Sequence, residues 1–166
     1  MNASQPAISD PARQLLRHTA ATLAYRGGKA FRGVPEDFAT FRIGEKSRTP
    51  GQIIAHISDL LDWAVSLVKG KQEWHDSEPL PWHQAVDRFF SALAALDAAL
   101  ASDAPLGGPV EKIFQGPIAD AFTHVGQISM LRRLAGHPVR GENYLRAEIV
   151  AGRVGPEQAP PKREFD

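Results

Sequence analysis

The chain has no cysteine among its 166 residues, which excludes disulfides, thiolate metal sites and a cysteine nucleophile. Any metal or acid–base chemistry is therefore left to His, Asp and Glu. There is no excess of charge either: 19 Lys and Arg balance 19 Asp and Glu, so no net field draws the chain towards DNA, RNA or an anionic membrane. No basic cluster supplies such a field locally. No stretch approaches the roughly 20 apolar residues of a membrane span, and Met1 to Asp10 lacks the basic start and apolar run of a targeting segment. Neither nucleic acid nor a membrane is expected as a partner, and the expected setting is the cytoplasm. Alternating strand patterns and internal repeats are also missing.

What the sequence does contain is helical periodicity. The length suits one domain with a substantial core, expected over residues 1–154. The proline-bearing segment 155–166 reads as an extended or disordered tail. Leu15, Leu16, Thr19, Ala20 and Leu23 share a face of a first helix from Pro11 to Tyr25, which Gly27-Gly28 is expected to stop. A long crossover follows through Gly33, Pro35 and Gly44, with Phe31, Phe38 and Phe41 scattered along it. Thr49-Pro50-Gly51-Gln52 then combines an N-cap hydroxyl, a proline at the first helical position and a capping-box glutamine. That second helix is expected to run to about Lys69. A third spans about Trp82 to Ser102, with Val86, Phe89, Phe90, Leu93, Leu96 and Leu100 in helical register. Val110, Ile113 and Phe114 restart the spacing, Gly116-Pro117 threatens to interrupt it, and the fourth helix proper is expected over Ile118 to Leu134. Gly136-His137-Pro138 stops it, and a short helix around Asn143 to Val150 is expected to pack back. The expected fold is an all-α four-helix bundle with a long crossover between the first two helices.

Three polar residues stand on apolar faces. His56 falls among Ile53, Ile57, Leu60, Trp63, Ala64 and Leu67, whereas Asp59, Asp62, Ser66 and Lys69 fall towards the other side of that helix. A buried imidazole needs partners, which a carbonyl, a carboxylate or a metal can provide. In the fourth helix Asp120 and His124 lie four residues apart and project from one face, with Gln127 and Leu131 continuing the line. Donors at i and i+4 can reach a single cation, and one histidine from a facing helix completes a three-donor set. Asp120 also has a simpler reading, because a helix beginning at Pro117 places it in the first turn, where the dipole favours a carboxylate. Asp59, Trp63, Gln127 and Tyr144 have two readings each: Asp59 as a carboxylate that orients His56 and the other three as neighbours of the site, or all four as core packing or surface hydrogen bonds, which is the simpler reading. Arg132 and Arg133 read as cations suited to the last turn of their helix.

The stretch from Thr49 to Asp59 (TPGQIIAHISD), together with that from Gly116 to Gln127 (GPIADAFTHVGQ), resembles the DinB-like superfamily of metal-binding four-helix bundles. The resemblance in layout covers about Gln14 to Gly136. In that family one histidine of the second helix and two of the fourth, four residues apart, hold one divalent cation. The resemblance thus implies metal ligation by His56, Asp120 and His124, with Asp120 standing where the family has a histidine. That exchange lowers the formal charge of a loaded site by one unit and suits Zn, Ni, Fe or Mn.

The function implied is a metal-dependent enzyme acting on a small-molecule substrate, either a hydrolase or a thiol S-transferase. With no cysteine in the chain, the thiol of the second type is an external low-molecular-weight one. The resemblance also implies a homodimer. The alternative expectation is a non-catalytic stress-response or binding protein whose metal is structural or lost.

Overall fold

The computed structural model describes residues 10–166; residues 1–9 of the expected helical domain, and with them nearly all of the segment read for a targeting signal, lie outside the described residues. The chain forms an all-α four-helix bundle. Its rods are α1 (Pro11–Phe31), α2 (Pro50–Val68), α3 (Trp82–Ala101) and a composite in which α4 (Val110–Ile113) passes through a π-helical turn (Phe114–Ile118) into α5 (Ala119–Leu134). α2 packs against both α3 and α5, and α1 closes the bundle against the same two helices. No described helix is long and apolar enough to cross a membrane.

Local chemistry sets the starts of α1 and α2. The Asp10 carboxylate accepts from the Ala12 amide at 3.0 Å, with Pro11 in the first turn. At α2 the capping box closes in both directions: the Gln52 amide donates to Thr49 Oγ1 at 3.2 Å, and the Thr49 amide donates to Gln52 Oε1 at 2.9 Å.

Gly27-Gly28 does not stop α1, which continues to Phe31. The pair is a notch in a helix. A Cβ at Gly27 would lie 2.6 Å from the Phe89 ring and one at Gly28 would lie 3.3 Å from Phe90, so the glycines let two α3 rings reach the α1 backbone. Each costs about 1 kcal/mol of helix propensity, which burial of Phe31, Phe89 and Phe90 offsets. The true end of α1 is capped from a distance. The buried Arg132 guanidinium donates to the carbonyls of Ala30 at 2.9 Å and Arg32 at 2.6 Å, and its Nε donates to His137 at 2.8 Å. Arg132 therefore serves the carbonyl end of α1 as well as the turn that closes its own helix.

The crossover carries a 3₁₀ turn, Glu36–Thr40, whose Phe38 packs edge-on against Trp82 at 5.1 Å between centroids. α2 ends where Gly70 takes a φ of +75°. Gly107 of the loop after α3 comes so close that a Cβ on it would lie 1.9 Å from the Gly70 nitrogen, and its amide donates to the Val68 carbonyl at 2.9 Å. The loops at this end are thus docked backbone to backbone.

Gly116-Pro117 does not break the last rod. Proline lacks the amide an α-helical ladder needs, and the chain widens to a π turn there and continues helical into α5. Beyond α5 the expected helix around Asn143 to Val150 is a single 3₁₀ turn, Tyr144–Arg146, because the Asn143 side chain accepts from the Leu145 amide and forms a local turn instead. The tail is extended, and Glu164–Phe165 pair antiparallel with Gly141–Glu142. This ladder is too short to show as alternation. It places Glu142, buried, as acceptor of Tyr25 Oη at 2.6 Å and Lys29 Nζ at 2.7 Å.

Candidate metal centre

His56 comes from the middle of α2; Asp120 and His124 come from the first two turns of α5. The two helices run antiparallel, because Ile53 shares a groove with Leu131 whereas Trp63, further along α2, lies beside Gly116. The three side chains meet across that seam, and each offers a ligand-type atom within 4.8 Å of the others. His56 Nε2 stands 3.5 Å from Asp120 Oδ2. Metal–ligand bonds of about 2.0–2.1 Å in a tetrahedron place neighbouring donors about 3.4 Å apart, so this separation matches one edge of such a polyhedron. The imidazole planes of His56 and His124 are 4.7 Å apart at their centroids and steeply inclined.

The protonation pattern suits ligation. His124 Nδ1 lies 2.9 Å from the Asp120 carbonyl oxygen, which can only accept, so Nδ1 is the donor of this bond and Nε2 is the nitrogen left to face a cation. Burial is the main force holding the His56 pKa below its ordinary value; the neighbouring His124 and Arg48 add to it, and Asp120 opposes them. His56 is therefore neutral at neutral pH.

Two expectations about this region are corrected. The triad lies at the rim of the core, not inside it: the side-chain exposures of His56, Asp120 and His124 are 21%, 44% and 12%. On α5 the next residue of that line, Gln127, is exposed, and the line returns to the core only at Leu131. Nor is Asp120 a first-turn carboxylate at a free helix start, since the rod already runs from Val110 and Ile118 itself has helical dihedrals. Although Asp120 lies in the first turn of α5, the helical turns before it leave no free N-terminus there for a dipole to act from.

Aromatic walls close one side. Trp63 of α2 and Trp74 of the loop between α2 and α3 meet edge-on at 5.9 Å, and Trp74 stands 5.6 Å from the His56 ring. Trp74 has no periodic signature that would have marked it. Arg48, just before the α2 cap, is a cation of the opposite side and has no carboxylate partner among the described residues. Tyr144 belongs elsewhere: its ring packs against Tyr25 and beneath the Arg26 guanidinium, because the turn carrying it docks on α1.

Asp59 does not orient His56. It is buried on the opposite side of α2, where α3 covers what the sequence presents as an outer face. Its Oδ1 accepts from Arg88 at 2.6 Å and from Ser77 Oγ at 2.7 Å, and its Oδ2 accepts from the Ser77 amide at 2.9 Å. With Asp62 and His75 it forms a second group of ligand-type side chains within 4.8 Å. The Arg88 guanidinium binds both carboxylates, reaching Asp62 at 3.0 Å, and so supplies the cation this group needs. These bonds also tie down the loop that carries Trp74. His83 pairs with Glu36 at the surface.

Compared with family models, with curated proteins and with solved structures, the chain matches none of them. Its fold and its donor cluster rest on the residues and geometry above.

Proposed function

We propose that His56, Asp120 and His124 hold one divalent cation and that the protein is a metal-dependent enzyme of the DinB-like type. The observation that carries this reading is the convergence of three donors from two helices within 4.8 Å of one another, with one pair at 3.5 Å and His56 in its neutral state. Two imidazoles and a carboxylate suit Zn, Ni, Fe or Mn. The cluster contains three donor side chains, and Asp120 is nearly half exposed. This arrangement favours a site with room for an exogenous group over a closed structural one. A bound cation supplies Lewis-acid activation of a water or of a small-molecule thiol, the latter necessarily external in a chain without cysteine. The chain's own parts in such a reaction are distinct. Asp120 lowers the charge of the site, the Asp120 carbonyl fixes the His124 ring, and Trp63 and Trp74 limit water on one side.

Elemental analysis of purified protein is the first test. About one equivalent of a divalent metal is expected, lost in both His56→Ala and His124→Ala. Stoichiometric absence from the wild type, even after supply of each metal, overturns the reading. Turnover of electrophiles with a panel of small thiols, beside hydrolysis of simple esters and amides, then tests catalysis; no metal-dependent rate in either set leaves a binding protein. Asp120→His is expected to retain metal and shift its preference towards nitrogen-rich ligation.

A further inference from the structure

A groove of about 560 Å³ opens one helical turn from the triad, along the same α2–α5 seam. Ile53, which lines it, precedes His56 by three residues, and Gln127, on the facing wall, follows His124 by three. Ile43 and Met130 line it while remaining more than half exposed, and Leu131 closes the floor. Arg48 is the single charged residue on the wall, and no carboxylate among the described residues pairs with it. Gly126 adds room: a Cβ placed on it would meet nothing within 4 Å.

An apolar trough with one unpaired cation beside a donor cluster has a definite chemical complement. We propose that the groove binds a small organic anion with an apolar body, its carboxylate or similar group at Arg48 and its chain along Ile43, Ile53 and Met130. As the substrate subsite of the candidate centre this rests on the metal reading; as a binding site it does not. The charge sets the head group, because an ammonium in the same position meets Arg48 unfavourably and a neutral head leaves it unpaired. The trough sets the body, since burial of each methylene adds a constant increment of affinity.

The probe is a series of straight-chain alkanoates from four to ten carbons, with the alkylammonium ions of equal length as controls. The chain has two methionines, Met1 and Met130, so a ¹³C-methyl label on methionine gives Met130 as a direct reporter. Alkanoate affinity is expected to rise up to about fourfold per buried methylene, with shifts at Met130, and to exceed that of the matched ammonium by about tenfold or more. Gly126→Leu, which fills open space on a helix and improves its propensity, is expected to abolish binding and keep the metal. Arg48→Gln is expected to erase the preference for the anion and keep the chain-length trend. Metal-free His56→Ala is expected to bind the alkanoates like the wild type. No binding to the wild type, binding unchanged in Gly126→Leu, or equal affinity for anion and cation overturns the proposal. Loss of binding in His56→Ala overturns the assignment of the head group to Arg48. Absence of metal from the wild type with alkanoate binding intact removes the metal reading and leaves the groove.

Discussion

α2 contributes to two groups of ligand-type side chains on its opposite sides, and both bring three donors within 4.8 Å. Towards α3, Asp59 and Asp62 hold the Arg88 guanidinium, whose two short bonds at 2.6 and 3.0 Å reach both carboxylates, and His75 lies 3.2 and 3.1 Å from the same two groups. Towards α5, His56, Asp120 and His124 converge with no Lys or Arg side chain of the described residues bonded among them; Arg48 stands at one flank and two tryptophans at the other. Donor spacing therefore does not by itself distinguish a metal centre from an ion-pair clamp. What separates the two is whether the fold delivers a cation of its own.

That contrast can be broken experimentally. The largest effect is expected on the clamp side. Arg88→Ala strands the buried Asp59 and should lower the free energy of unfolding by about 3 kcal/mol, read from the urea midpoint, while metal content at the triad stays as in the wild type. Equal loss of metal would mean that the two sides are not separable. Next, metal supplied at about 100 times its Kd should stabilise the wild type by about 2.7 kcal/mol and leave the melting temperature of His124→Ala unmoved. Stabilisation of both proteins would place the ion elsewhere.

Smaller effects follow from protonation. Asp59 is buried, which alone would raise its pKa, but the bonds from Arg88 and Ser77 prevail and hold it below the ordinary 3.8. Its contribution to stability is therefore complete above about pH 4 and is lost as pH falls through the lowered value. Asp59→Asn should remove that part of the acid limb of a stability–pH profile. His56 has a folded pKa below the ordinary 6.5, mainly through burial. In metal-free protein its contribution is complete above 6.5 and lost as pH falls through the lower folded value, so His56→Gln should flatten the profile just below 6.5. A profile unchanged by His56→Gln would show that the ring is not desolvated.

The parts legible in the sequence are those governed by neighbours a few residues away. The Thr49–Gln52 capping box, the register of Phe89 and Phe90 and the shared face of Asp120 and His124 depend on helical geometry alone. Long-range docking decided the others. Gly27-Gly28 looks like a stop until the rings of α3 occupy the notch, and Asp59 looks exposed until α3 covers it. Gly116-Pro117 looks like a break, yet widening to a π turn preserves the rod. Trp74 lies in a loop with no periodicity, and bonds from distant positions, Ser77 to Asp59, His75 to Asp62 and Glu73 to Ser66, hold that loop against α2.

The sequence by itself determined the available chemistry and the local geometry: no thiolate, two imidazoles and a carboxylate on helical faces, and a bundle to carry them. The tertiary structure decided which donors meet and which already have a cation. Arg88 and Asp59 are 29 residues apart on different helices, so no local spacing fixes their contact. The docking of α3 on one side of α2 and α5 on the other does, because only packing brings side chains of distant segments within the few ångströms over which charges and ligand bonds act.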